Sequence, residues 1–143
     1  MMRTLVVLAI TLAVVSAGKV KFQDCGKGEV ESLEVEGCSG DYCVIHKGKK
    51  LDLAISVTSN QDSANLKLDI VADINGVQIE VPGVDHDGCH YVKCPIKKGQ
   101  HFDVKYTYSI PAILPTTKAK IIAKIIGDKG LGGCIVINGE IQD

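Results

Sequence analysis

Tryptophan is absent from this chain, and aromatic side chains of any kind are scarce, with two Phe and four Tyr among 143 residues. The missing tryptophan excludes the Cys…Trp…Cys core of antibody-type domains. There is no excess of positive charge, since 16 Lys and Arg stand against 17 Asp and Glu. Without a basic stripe to neutralise phosphates, nucleic acid is not an expected partner. No Walker sequence, GxGxxG fingerprint or GxSxG elbow occurs, which removes the commonest nucleotide-binding and acyl-transfer signatures. The glycine-rich run Gly127–Gly133 lacks the Lys and Ser/Thr of a phosphate loop and reads as a hairpin turn. No Asn-x-Ser/Thr acceptor is present, so N-glycosylation is not expected. Past the N-terminal stretch, no apolar run approaches the roughly 18 residues a membrane-spanning helix needs, so no transmembrane segment is expected.

The N-terminal stretch itself is informative. Arg3, the apolar run Leu5–Val15 and the small residues up to Ala17 have the anatomy of a secretory signal peptide over residues 1–17. The run is too short to cross a bilayer, and a buried N-terminal helix is the weaker alternative. The expected mature chain, Gly18–Asp143, is a single domain with a formal charge of about −2 once Arg3 is gone. It carries all six cysteines, and an even count behind a signal peptide reads as disulfides in an oxidising, extracellular compartment. Cys38 and Cys43 flank one short loop and Cys89 and Cys94 another. Pairing each locally leaves Cys25, near the mature start, to join Cys134, near the end.

Alternation dominates the remainder. His101–Pro111 places Phe102, Val104, Tyr106, Tyr108 and Ile110 on every second residue, with Asp103, Lys105, Thr107 and Ser109 between them. Successive strand residues face opposite sides, so this stretch has one aromatic inner face and one polar outer face. Leu51, Leu53, Ile55 and Val57 alternate likewise, as do Leu66, Leu68, Ile70, Ala72 and Ile74. Asn75-Gly76 is a strong hairpin signal, returning through Val77, Ile79 and Val81 until Pro82-Gly83 breaks the strand. Shorter strands are expected over Val20–Asp24 and Glu29–Glu36, a turn-rich loop over Gly37–Lys50, and two closing strands over Lys118–Ile126 and Gly133–Ile141. Ala119, Ile121, Ala123 and Ile125 share one face of the first of these. Seven or eight short strands with frequent turn signals predict an all-β fold, an immunoglobulin-like sandwich of two antiparallel sheets.

Candidate chemistry is thin. Asp85-His86-Asp87-Gly88-Cys89-His90, with Cys94 beyond, has metal-like spacing, but zinc needs thiolates and these secreted cysteines are better placed to oxidise. No metal or cofactor is therefore expected. His46 and His101 read as solvated histidines. Asp52, Asp69, Asp73, Glu80 and Asp103 alternate away from the apolar face, and paired catalytic carboxylates need a cleft with unequal environments. The chain is not expected to be an enzyme. The basic run His46–Lys50 could meet an anionic surface, but a solvated loop is the better reading. What remains is the apolar faces. Alternation alone favours a dry, interlocked core. Two features favour a splayed one: aromatics are concentrated on one strand, and Tyr106 and Tyr108 can set a polar tip in a greasy wall.

Several separated segments carry a resemblance over Asp24 to the C-terminus. They are Gly37–Gly48 around Cys38 and Cys43, Val81–Asp85 running into Cys89–Pro95, Val104–Thr107, and Ile126–Gly130 followed by Cys134. Together they resemble the group 2 mite allergens of the ML (lipid-recognition) family, which includes the Niemann–Pick type C2 sterol carrier. The resemblance implies a secreted, non-catalytic lipid carrier with an internal apolar cavity between the sheets, holding a fatty acid, sterol or related lipid. It also implies the bridges Cys25–Cys134, Cys38–Cys43 and Cys89–Cys94, in agreement with the spacing. The family's cavity positions carry over to Leu53, Ile55 and Val57; to Leu68 and Ile70; and to Val77, Ile79 and Val81. They carry over further to Tyr91 and Val92; to Phe102, Val104, Tyr106, Tyr108 and Ile110; and to Ile121, Ala123 and Ile125. Tyr108 departs from the pattern, standing where dust-mite members commonly carry Trp, and the Cys38–Cys43 loop is shorter, which alters a surface that antibodies recognise. The alternative function is an interaction module engaging an innate-immune receptor or a lipid-bearing partner through exposed apolar residues such as Ile113 and Leu114.

Overall fold

A computed structural model describes residues 18–38 and 40–143; the expected leader over residues 1–17 lies outside them. The described chain is all β apart from one 3-10 turn. In chain order the strands are β1 (Gly18–Lys19), β2 (Gln23–Asp24), β3 (Val30–Val35), β4 (Tyr42–His46), β5 (Lys50–Thr58), β6 (Leu66–Ile74) and β7 (Val77–Glu80). The 3-10 turn Gly88–His90 follows, then β8 (His101–Ser109), β9 (Thr117–Gly127) and β10 (Gly130–Gln142). Two sheets result. One runs β1-β3-β5-β8. The other runs β2-β10-β9-β6-β7, with β4 also against β10.

The regular alternations form the long strands. His101–Ser109 shows a strict exposed–buried alternation, as a strand with one face in the core must. Its pairing with β5 sets Leu53 beside Tyr106, Ile55 beside Val104 and Val57 beside Phe102, so the two inner faces coincide. Asn75 and Gly76 both take positive φ, 53° and 84°, the geometry of a two-residue hairpin whose twist matches its strands. That turn joins β6 to β7.

Two elements differ from expectation: Val20–Asp24, read as one short strand, contains only β2, with β1 ahead of it in the other sheet, and a segment read as a loop contains a strand. Gly37–Lys50, read as a loop, contains β4, which lies parallel to the end of β10 from Tyr42 beside Asn138 to His46 beside Gln142. Parallel strands need a distant partner, here across almost the whole chain, and no local turn signal announces one. β2 pairs with β10 at Ile135 and Val136, so β2 and β4 share the edge of β10 that β9 leaves free.

All three expected disulfides are formed: Cys25–Cys134, Cys38–Cys43 and Cys89–Cys94. The first fastens β2 to β10. The second ties the turn before β4 to β4 itself. The third closes the segment around the 3-10 turn, against which Ile96, 1% exposed, is packed. Buried Gln61 braces the β9–β10 turn: its side-chain amide donates to the Gly130 carbonyl (3.1 Å), and its side-chain oxygen accepts from the Lys129 N–H (2.8 Å).

Candidate functional site

The inner faces do not close uniformly. Along β5, Val57 is fully buried, whereas Leu51, Leu53 and Ile55 on the same face are only half-buried. At the Val57 end, Phe102, Leu66, Leu68, Val104 and Ile125 belong to one packed cluster. At the other end the sheets part around a cavity of about 170 Å³. Its wall takes residues from both sheets, from β4, and from the segments that follow β7 and β8. The polar residues on the wall, Glu80, Asn138 and Glu140, are few. Water finds few polar partners in a void walled this way. A smaller void of about 30 Å³ adjoins it, walled by Val30, Leu68, Val104 and Ile125 and sharing Leu53, Ile55, Ile70, Tyr106, Ala123 and Ile135 with the larger one.

Of the sequence-derived positions, Leu53, Ile55, Ile70, Ile79, Val81, Tyr106, Tyr108, Ile121 and Ala123 lie on the main wall. Leu68, Val104 and Ile125 lie on the smaller void. The other six line neither. Val57 and Phe102 pair at the sealed end and are packed on all sides. Ile110, 3% exposed, is packed in a side cluster with Val84, Tyr106 and Tyr108. Val77 sits next to the hairpin tip and is 61% exposed, because the short strand β7 has no opposing sheet over that end. Tyr91 and Val92 flank the 3-10 turn and pack against the core from outside the cavity.

Wall residues not among those positions include Leu33 and Val35 of β3, Cys43 and Ile45 of β4, Leu51, Ala119, Leu114 and Pro115. They also include Ile135, Ile137 and Ile141 of β10, which with Gly139 fall on every second residue, a usable signal. Cys43 and Ile45 had none, since β4 is visible only through its partner.

Tyr106 and Tyr108, expected to set a polar tip in an apolar wall, turn those tips to the protein's own backbone. Both rings form wall, but both hydroxyls are engaged by the segment after β7. The Tyr106 hydroxyl accepts the Asp85 N–H at 3.0 Å, and the Tyr108 hydroxyl donates to the Pro82 carbonyl at 2.5 Å. Burial pushes the Tyr108 phenol pKa up, with Tyr106 adding to the effect. The Tyr91 ring stands edge-on to Tyr106 at 4.9 Å and its hydroxyl donates to Asp85 at 2.9 Å. Asp85 also pairs with His90 at 2.8 Å. The His90 hydrogen bond, then the Asp87 N–H and Tyr91, lower the Asp85 carboxyl to about 2. Asp85, followed by Asp87, raises the His90 pKa. Burial, then Asp85, pushes the Tyr91 phenol up to about 12.

Of the acidic residues set aside above, Asp103 and Asp52 stay on an outer surface, accepting from Ser56 at 2.7 Å and Thr107 at 2.5 Å, whereas Glu80, expected to point away from the apolar face, reaches the cavity wall from the short edge strand β7. Asp69, Glu80 and His86 bring one potential ligand atom each within 4.8 Å of one another. There, however, His86 is held between Glu80 (3.0 Å) and the Leu68 carbonyl (2.8 Å). No helix among the described residues is long and apolar enough to cross a membrane.

Comparison with known proteins agrees with this geometry. The ML domain family matches residues 19–141. The chain is 99% identical over 143 residues to mite group 2 allergen Pso o 2 of Psoroptes ovis, covering all of both chains. It is 45% identical over 142 residues to Lep d 2 of Lepidoglyphus destructor, covering 99% of this chain and 100% of that one. Among solved structures, a Niemann–Pick type C2 protein from the Japanese carpenter ant superposes with a TM-score of 0.78 at 20% identity, over 85% of this chain and 99% of that one. Chicken MD-1, crystallised with lipid IVa, superposes with a TM-score of 0.56 at 15% identity, over 82% and 85%. A cysteine-braced two-sheet sandwich with an apolar void, matched along nearly its whole length, belongs to the ML-domain family, in its mite group 2 allergen branch.

Proposed function

We propose that this protein is a secreted, non-catalytic carrier that holds a fatty acid, sterol or similar lipid between its two sheets. The observation that carries the reading is the half-buried inner face at Leu51, Leu53, Ile55 and Ile70, which surrounds empty apolar space where a sandwich of this size normally interlocks. Binding is driven by apolar burial, at about 25 cal/mol per Å² before the costs of association, with few polar contacts to fix a head group. Among relatives by fold, chicken MD-1 was crystallised with lipid IVa, which supports a lipid guest for this architecture.

The test is native mass spectrometry of the secreted protein with solvent extraction of whatever accompanies it, beside uptake of a fluorescent fatty acid. Replacing Ile70 or Val104 by Asp should abolish uptake with the disulfides still formed. Unchanged uptake would move the site elsewhere.

A second reading rests on Ile113, which is 88% exposed between Pro111 and Pro115, beside the wall residue Leu114. That tip suits an interaction module contacting an innate-immune receptor or a lipid-bearing protein. A carrier exchanges lipid alone; an interaction module needs its partner for any activity.

A further inference from the structure

Most of the cavity wall is strand, tied to neighbouring strands by ladder hydrogen bonds. Pro82–Asp85 is not. Val81 makes the last bond of that ladder, its N–H donating to the Ile70 carbonyl at 3.0 Å, and pairing with β6 resumes where the Leu68 N–H donates to the His86 carbonyl at 2.8 Å. Between them, no backbone–backbone hydrogen bond involves residues 82–85 among the described residues. Proline lacks an N–H, and Gly83 takes a φ of 77°, which a residue with a side chain rarely adopts. Yet Pro82 and Val84 are part of the cavity wall. Across the sheets the segment is fastened by the two β8 hydroxyls on Pro82 and Asp85 and by the burial of Val84 against the tyrosine rings, while the Asp85 carboxylate is also held from the turn that follows, by His90, Tyr91 and the Asp87 N–H.

We propose that Tyr106 and Tyr108 are positioning residues that latch Pro82–Asp85 as the movable wall of the cavity, so that their hydroxyls set how fast an apolar guest is exchanged. The inference rests on the carrier reading for its consequence but not for its geometry. Opening requires both hydroxyl contacts to break and leaves the ladders of both sheets intact. The rings remain in the wall whether or not the segment moves, so the latch controls rate more than affinity.

The experiment uses the full mature chain and cis-parinaric acid as probe, comparing the parent with Tyr106→Phe, Tyr108→Phe and the double variant. Each substitution removes a hydroxyl and keeps the ring. The double variant should speed dissociation of the probe about tenfold, a loss of roughly one net hydrogen bond. Amide exchange at Asp85, whose N–H is bonded to the Tyr106 hydroxyl, should quicken in Tyr108→Phe, which keeps that acceptor, when followed without any probe, while amides in the middle of β5 and β9 stay protected. Unchanged exchange rates of both kinds overturn the latch. Quickened amides with unchanged probe kinetics place guest uptake elsewhere and overturn the functional half. A parent that takes up no probe overturns the carrier reading, and the amide measurement then judges the latch separately.

Discussion

Gly139 lies directly against Cys43, and a side chain there has no room: a Cβ at residue 139 would stand 2.4 Å from the Cys43 carbonyl oxygen. The two residues are register partners where β4 runs parallel to β10. Glycine at this position is a condition for the parallel pairing, and the pairing brings Cys43 and Ile45 to the cavity wall. Gly139→Ala should therefore destabilise the protein by about 1–3 kcal/mol, the usual cost of overpacking a closed site. Denaturant unfolding measures the loss. Retained stability would mean that β4 moves away at little cost.

The three disulfides should contribute unequally. The Cys25–Cys134 bridge spans 109 residues of sequence, whereas Cys38–Cys43 and Cys89–Cys94 each span 5. In the chain-entropy account, removing the long bridge costs about 5 kcal/mol and either short one about 2 kcal/mol. Paired Cys→Ser variants compared by thermal unfolding test this, and equal losses would show that native-state packing, not the unfolded chain, sets the contribution.

Sealed and hollow ends of the same face should respond differently to truncation. Val57 is 0% exposed with neighbours on every side, and Val57→Ala should cost about 2 kcal/mol, from lost transfer energy plus a new void. Ile70 already faces empty space. It has fewer contacts to lose, so Ile70→Ala should cost less than the about 2–5 kcal/mol of a fully packed site. Urea titration of both variants decides the order, and a larger loss at Ile70 would argue that the space around it is filled.

The Asp85–His90 pair predicts a pH dependence with a definite sign. Asp85 and Asp87 raise the His90 pKa above 6.5, so the pair's stabilisation is fully present below pH 6.5 and is lost as pH rises through the elevated folded value. Asp85, lowered from 3.8 to about 2, loses its share only as pH falls from 3.8 through about 2. His90→Gln should therefore lower Tm at pH 5–6 and change it little at pH 9. An equal drop at both would assign His90 a packing role.

Much of the site was written in local spacing. The alternation in Leu51–Val57, Leu66–Ile74 and Phe102–Ile110 oriented the inner faces correctly, Asn75-Gly76 set the hairpin, and the cysteine spacings paired as expected. Each is a short-range signal, because a two-residue period or a tight turn is decided by neighbours in the chain. The β10 residues Ile135, Ile137 and Ile141 carried the same signal.

What neighbours in the chain do not decide is how far apart two faces stand. Val57 and Leu53 have the same residue class and orientation, yet one is sealed and the other walls a void, because sheet separation depends on everything packed at both ends. The strand β4 exists only through β10, and the targets of the Tyr106 and Tyr108 hydroxyls only through the segment that crosses from the other sheet. Composition and period alone determined a disulfide-braced, two-sheet chain with greasy inner faces. The tertiary structure decided that those faces part at one end, since a gap is a property of two surfaces brought together and belongs to neither of them alone.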